Sequence, residues 1–163
     1  MIVLVMGVEG AGKSTVGRAL AQELGWQFAD GDDFHSAENK AKIHAGIPLT
    51  DQDRAPWLAA MHDQIVRWHQ SGTNAVLAAS ALKESYRQQL FAGTPPEDYR
   101  IVFLHGPVSV LKERVAKRAG HFASPAILES QLETLEPPRN AIAISITQPL
   151  AEQVKEICSA LHV

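Results

Sequence analysis

The chain has 163 residues, 45% of them hydrophobic and 20% charged, which suits one globular domain (1–163) with a continuous core. Its net charge of −3 lacks the basic footprint that general nucleic-acid binding needs. A single cysteine, Cys158, leaves no internal disulfide, and the apolar start at 2–6 is too short for a signal segment or a membrane span. These features predict a soluble cytoplasmic protein with neither a membrane nor a nucleic-acid partner.

The unbroken apolar run Ile2–Met6 reads as a strand buried on both faces. A helix follows from Lys13 to Leu24 and stops at Gly25, and a short strand at 26–29 leads into the acidic turn Asp30-Gly31-Asp32-Asp33. Residues 36–44 and 55–70 read as helices, with Pro56 in the first turn of the second. Residues 75–79 form a third strand, and a helix runs from Leu82 to about Phe91. A strand at 100–105, helices at 108–118 and 125–135, a strand at 141–146 and a helix at 150–161 complete the series. Five strands alternating with helices predict an α/β fold with a parallel sheet flanked by helices. A helical substrate-binding insertion occupies about 33–72, a short lid about 117–126, and ligands bind beyond the strands' carboxyl ends.

Gly7-Val8-Glu9-Gly10-Ala11-Gly12-Lys13-Ser14 matches G-x-x-x-x-G-K-[ST] between a buried strand and a helix, the phosphate loop of P-loop NTPases. Its glycines let backbone N–H groups wrap a phosphate at a helix N-terminus. Gly7, Gly10, Ala11, Gly12, Lys13, Ser14 and Thr15 are therefore the ATP-binding set. Lys13 reaches the β/γ oxygens and the Ser14 hydroxyl ligates Mg²⁺, with a carboxylate from the 30–33 turn. Glu9 is expected to point to solvent, because a carboxylate beside a polyphosphate repels it. The acidic turn is expected next to the phosphate-loop strand. Asp32, ahead of Asp30 and Asp33, is the candidate to orient or deprotonate an acceptor hydroxyl, its rival role being water-mediated magnesium binding.

Further motifs are more specific than the loop. Gly31-Asp32-x-x-His35-x-x-x-Asn39-x-x-Lys42 and Gly46-x-Pro48-Leu49-x-Asp51-x-Asp53-Arg54-x-Pro56-Trp57-Leu58 closely resemble the gluconate kinase (gluconokinase) family. Ser80-Ala81-Leu82-Lys83-x-x-Tyr86-Arg87, Gly120-His121-Phe122 and Ser130-Gln131-x-x-x-Leu135-Glu136-x-Pro138 extend the resemblance over nearly the whole chain. Ile43, Ala79 and Ala123 depart from the family pattern without removing a candidate ligand. The resemblance implies a nucleoside-monophosphate-kinase-like fold, MgATP as donor, conversion of D-gluconate to 6-phospho-D-gluconate, and a homodimer. Shikimate or nucleotide kinases, and an ATP-binding regulatory module without turnover, are the competing classes.

Within that frame Arg54 is the candidate fork for the gluconate carboxylate, or else half of an ion pair with Asp51 or Asp53. His35 binds substrate hydroxyls or starts a helix. Lys83 and Arg87, spaced i,i+4, point at the acceptor or are solvated charges. His121 joins them as a substrate-binding candidate. Arg114 and Arg118, also i,i+4 and just before the lid, either contact the transferring phosphoryl or form a charged outer face. Lys13, Asp32 and Arg118 are the catalytic candidates. Trp26, Trp57 and Trp68 read as core or interface anchors.

Overall fold

The computed structural model describes residues 1–118 and 125–163. Five strands, β1 (Ile2–Met6), β2 (Gln27–Asp30), β3 (Ala75–Ala78), β4 (Tyr99–His105) and β5 (Ile142–Ser145), form one sheet in the order β2-β3-β1-β4-β5. Every pairing is parallel: Ile2 stands opposite Ala75 on one side and Tyr99 on the other. The helices are α1 (Lys13–Leu24), α2 (Ala37–His44), α3 (Asp51–Gln70), α4 (Glu84–Leu90), α5 (Val108–Lys117), α6 (Pro125–Thr134) and α7 (Leu150–Leu161). The expected α/β fold is therefore present.

β1 divides the core by its period of two. Val3 and Val5 pack with Leu20 of α1, Leu111 and Val115 of α5, and Ile157 of α7. Ile2, Leu4 and Met6 face the opposite cluster, with Trp57, Met61 and Ile65 of α3 and Tyr86 and Leu90 of α4. All five β1 residues are at most 1% exposed, which is why this strand shows no polar alternation. Trp57 and Trp68 are buried and Trp26 packs against the first cluster, in keeping with core anchoring.

Two expectations need correction. The acidic turn does not follow a neighbour of β1, because β3 lies between β1 and β2. And α3 begins at Asp51 rather than Ala55, so Pro56 sits inside the helix beyond its first turn. The cause is a capping box: the Thr50 hydroxyl accepts from Asp53 N, and the Asp53 carboxylate accepts from Thr50 N. Satisfying those amide N–H groups early starts the helix at Asp51, inside the 46–54 stretch that Gly46 and Pro48 mark as a turn.

Gly31, just past β2, fixes the acidic turn against the neighbouring strand. A Cβ there would lie 2.8 Å from both the Ala78 carbonyl oxygen and the Ala79 Cβ. The Gly31 carbonyl also accepts from Trp57 Nε1 at 2.7 Å. Gly31→Ala is expected to lower stability by about 1–3 kcal/mol, the range for overpacking. Urea denaturation of the variant beside wild type measures it; an unchanged midpoint would contradict the tight fit.

Candidate active site

The chain leaves β1 at Met6 and turns straight into the loop at 7–12. Gly10 and Gly12 adopt φ of +83° and +91°, a left-handed region that side chains other than glycine rarely enter. Gly12 is the N-cap of α1 and supplies no side-chain cap, so the first-turn amides are available to an anion. Ala11, within the loop, is buried, and Gly7 packs against Leu104. Lys13 Nζ curls back to donate to the Val8 carbonyl at 3.1 Å. Burial pulls the Lys13 pKa below that of an ordinary lysine, and Glu9, Asp32 and Asp30 oppose that fall.

Asp30 joins the phosphate loop to the acidic turn despite the intervening strand. One carboxylate oxygen accepts from Ser14 Oγ at 2.5 Å, and the other accepts from Asp32 N at 3.0 Å. A hydroxyl and a carboxylate side by side are the hard oxygen donors that Mg²⁺ prefers, usually beside substrate phosphates. The residues therefore fit the ion: Ser14 and Asp30 would hold it, and it would neutralise phosphate charge. Among the described residues no group of three His, Cys, Asp or Glu side chains forms a metal site. Asp32 is left facing the cleft. Burial, then Asp30, push its pKa above the usual carboxylate value, with Lys13 opposing, so it is more basic than an ordinary aspartate.

A cleft of about 700 Å³ runs from the loop to α2 and α3. Gly10, Gly12, Lys13, Ser14, Thr15 and Arg118 line its phosphate end; Asp30, Asp32 and Asp33 line its middle; His35, Lys40, Arg54 and Trp57 line its far wall. His35 stacks on Trp57 with centroids 4.5 Å apart and ring planes 9° from parallel. Its Nδ1 lies 3.4 Å from Asn39 Nδ2, an amide donor, so the neutral ring carries its proton on Nε2. The side chain that caps α2 is Ser36, accepting from Asn39 N, which leaves His35 to the cleft. Arg54 NH1 donates to Tyr86 Oη at 3.2 Å and stands 3.9 Å from Asp51. Asp53 pairs with Lys42 at 2.9 Å instead, and hydrogen bonds from Thr50 and Lys42 hold its pKa at about 2.

Burial, then Arg54 and Lys40, lower the His35 pKa to about 4. The unfolded chain therefore binds this proton more readily, with a pKa near 6.5. His35 contributes stability that is fully present above about pH 6.5 and is lost as pH falls toward 4. Wild type is expected to lose about 1–2 kcal/mol more than His35→Gln between pH 7 and pH 5, measured by denaturant titration at each pH. Parallel losses in the two proteins would remove His35 from the acid response.

Several expected site residues lie elsewhere. The Arg87 side chain is 2% exposed and bonds the carbonyls of Ala81 and Glu136, each at 2.8 Å, and Glu84 at 2.9 Å. It buttresses Ala81, whose φ is +42°, and does not line the cleft. The Lys83 ammonium binds Asp51 at 3.1 Å, and Tyr86 Oη makes a short hydrogen bond to the same carboxylate. Arg114 reaches the Gly10 carbonyl at 3.1 Å and the Ile146 carbonyl at 2.9 Å, clamping the loop from outside the cleft. Of Arg114 and the α5 C-cap Arg118, Arg118 alone lines the cleft.

Glu9 also requires correction: it lines the cleft, beside Lys13, Asp32 and Arg118. Its backbone N–H donates to Gln131 Oε1 of α6 at 2.7 Å. Gln131, Ser130, Ser80, Lys40 and Lys117 line the cleft without having been singled out as ligands, although Ser130, Gln131 and Ser80 belong to quoted motifs. Residues 119–124 of the expected lid at about 117–126, with His121, lie outside the described residues.

A parallel sheet whose first strand delivers a lysine-bearing phosphate loop into a cleft walled by carboxylates and an arginine defines a P-loop kinase. A family model described as "AAA domain" matches residues 2–138. A probable gluconokinase of Xenopus tropicalis is 44% identical, over 96% of this chain and 91% of that one. The crystal structure of a gluconokinase from Sinorhizobium meliloti 1021 superposes with TM-score 0.87 at 46% identity, covering 98% of this chain and 90% of the other. A sugar kinase from Janibacter sp. HTCC2649 superposes at TM-score 0.91 and 38% identity, covering 99% and 94%. The chain belongs to the gluconokinase family.

Proposed function

We propose that the cleft transfers the γ-phosphoryl group of ATP to D-gluconate, giving 6-phospho-D-gluconate and ADP, with Mg²⁺ on the phosphates. The observation that carries this reading is that one cleft holds the phosphate loop, with Lys13 and Ser14, then Asp32 in its middle, and a far wall that includes His35 and Arg54. Family membership supports gluconate as acceptor. Asp32 accepts the proton of the acceptor hydroxyl as its oxygen attacks the γ-phosphorus, and the bond to ADP breaks. Lys13 and Arg118 offset charge spreading over the phosphoryl oxygens. Arg54 grips the sugar acid's carboxylate and His35 Nε2–H donates to a hydroxyl. On this reading the enzyme works as a cytoplasmic homodimer of single-domain subunits, and sedimentation equilibrium tests the oligomeric state.

The decisive experiment is an ADP-release assay over a panel of sugar acids, shikimate and nucleoside monophosphates, with and without Mg²⁺. Turnover is expected with gluconate and Mg²⁺ together; equal ADP release without any acceptor would refute kinase action. Arg54→Lys should raise the gluconate KM by about tenfold or more with a smaller change in kcat, because a point charge cannot reproduce a bidentate grip. An unchanged gluconate KM would reassign Arg54 to its contacts with Tyr86 and Asp51.

A further inference from the structure

Glu9 is the residue that the reaction above does not use. It occupies a variable position of the phosphate loop, yet it lines the same cleft as Lys13, Arg118 and Asp32. Its carboxyl group is close enough to all three for electrostatic interaction: Lys13 and Arg118 favour its charge and Asp32 opposes it. The loop is tethered there, because the Glu9 backbone N–H donates to Gln131 Oε1 at 2.7 Å. The α5 side is tied down as well, by Arg114 on the Gly10 carbonyl at 3.1 Å. The backbone that carries this carboxylate is thus held from two helices.

We propose that Glu9 makes tight nucleotide binding conditional on a divalent cation, by holding a fixed negative charge against the polyphosphate. The inference rests on the reading of the cleft as a nucleotide site. In the free protein Glu9 shares Lys13 and Arg118 as counter-charges. A bound polyphosphate takes over both cations and leaves Glu9 beside a second anion in a partly desolvated cleft. The repulsion scales with the net charge on the phosphates, so it is large for free nucleotide and small once a divalent ion neutralises them. Asp32 adds to it from the other side. Burial raises the Glu9 pKa, with Lys13 opposing, so the comparison is made at pH 8 to favour the charged form.

The test is calorimetric titration of ADP into wild type and Glu9→Gln at pH 8, once with EDTA and once with saturating Mg²⁺. Glutamine keeps the shape and the backbone bond to Gln131 while removing the charge. Unit charges several ångströms apart at an effective dielectric near 20 interact enough for about a tenfold effect after screening. Glu9→Gln is therefore expected to bind metal-free ADP about tenfold more tightly, and Mg·ADP less than about threefold differently. The advantage that Mg²⁺ confers should shrink accordingly. Glu9→Ser, which also removes the charge, should behave alike and covers the case in which glutamine disturbs the loop. Equal Kd values for metal-free ADP in wild type and variants would overturn the proposal alone. Weaker Mg·ADP binding in the variants would also overturn it, by making Glu9 a partner of the ion. Absence of ADP binding in every protein and condition would overturn the nucleotide reading itself, and this proposal with it.

Discussion

Lys13→Ala lowers kcat by roughly 10³-fold in the expected result, because an ammonium placed on the β/γ phosphates acts where transition-state charge accumulates. The fold should survive. In the free protein Lys13 donates to the Val8 carbonyl at 3.1 Å, and its charge is disfavoured by burial. Losing that pairing is not expected to unfold a chain whose core lies in two apolar clusters on either side of β1. Circular dichroism and a denaturation midpoint near wild type establish that the variant is folded; steady-state turnover then gives the effect. A folded variant with near-normal kcat would remove the loop from the chemistry.

The second large effect is expected at Asp32. Asp32→Asn preserves size and backbone bonding but cannot accept the hydroxyl proton, and kcat should fall by about 10²–10⁴-fold, the contribution of a positioned general base. Its raised pKa gives a second readout. Burial and the Asp30 charge lift it above the ordinary aspartate value, so the acid limb of kcat/KM should lie above the usual aspartate range. Activity is then lost as pH falls through that raised value. Asp32→Asn should abolish that limb in whatever activity remains, whereas Asp30→Asn should instead weaken the dependence on Mg²⁺ through its bond to Ser14. An unaltered acid limb in Asp32→Asn would transfer the base role to a neighbour.

Much of this was readable in the sequence because its signals are local. A doubly buried strand is an apolar run, and a phosphate loop is a glycine spacing before a lysine. What failed were inferences about neighbours and directions. Periodicity does not say which strand lies beside which, so the insertion of β3 between β1 and β2 was not foreseen. The i,i+4 rule placed Lys83 and Arg87 on one face, yet Lys83 is the extended N-cap of α4 (ψ 145°) and Arg87 is inside the helix. Their side chains therefore diverge, one to Asp51 and one into carbonyls of the interior. Arg114 and Arg118 separate similarly: the first lies within α5, and the second is its C-cap. Glu9 was misjudged because its repulsion by phosphate was weighed without the attraction of Lys13 and Arg118. The start of α3 was legible in Thr50-x-x-Asp53, but Gly46 and Pro48 spoke louder.

The sheet order has a consequence for how this protein is made on the ribosome. β1 occupies the centre, yet its two partners, Ala75–Ala78 and Tyr99–His105, come much later in the chain. About 70 residues separate Met6 from Ala75. At about 5–20 residues per second, β1 waits roughly 4–14 s for its first partner strand. During that interval five apolar residues and their unpaired backbone are a template for association with other chains. The phosphate loop waits longer still, since Leu104 and Arg114, against which Gly7 and Gly10 are seated, are synthesised after both partner strands have begun. The phosphate loop is thus made well before the residues that seat it, and nucleotide affinity should emerge only once those residues are in place.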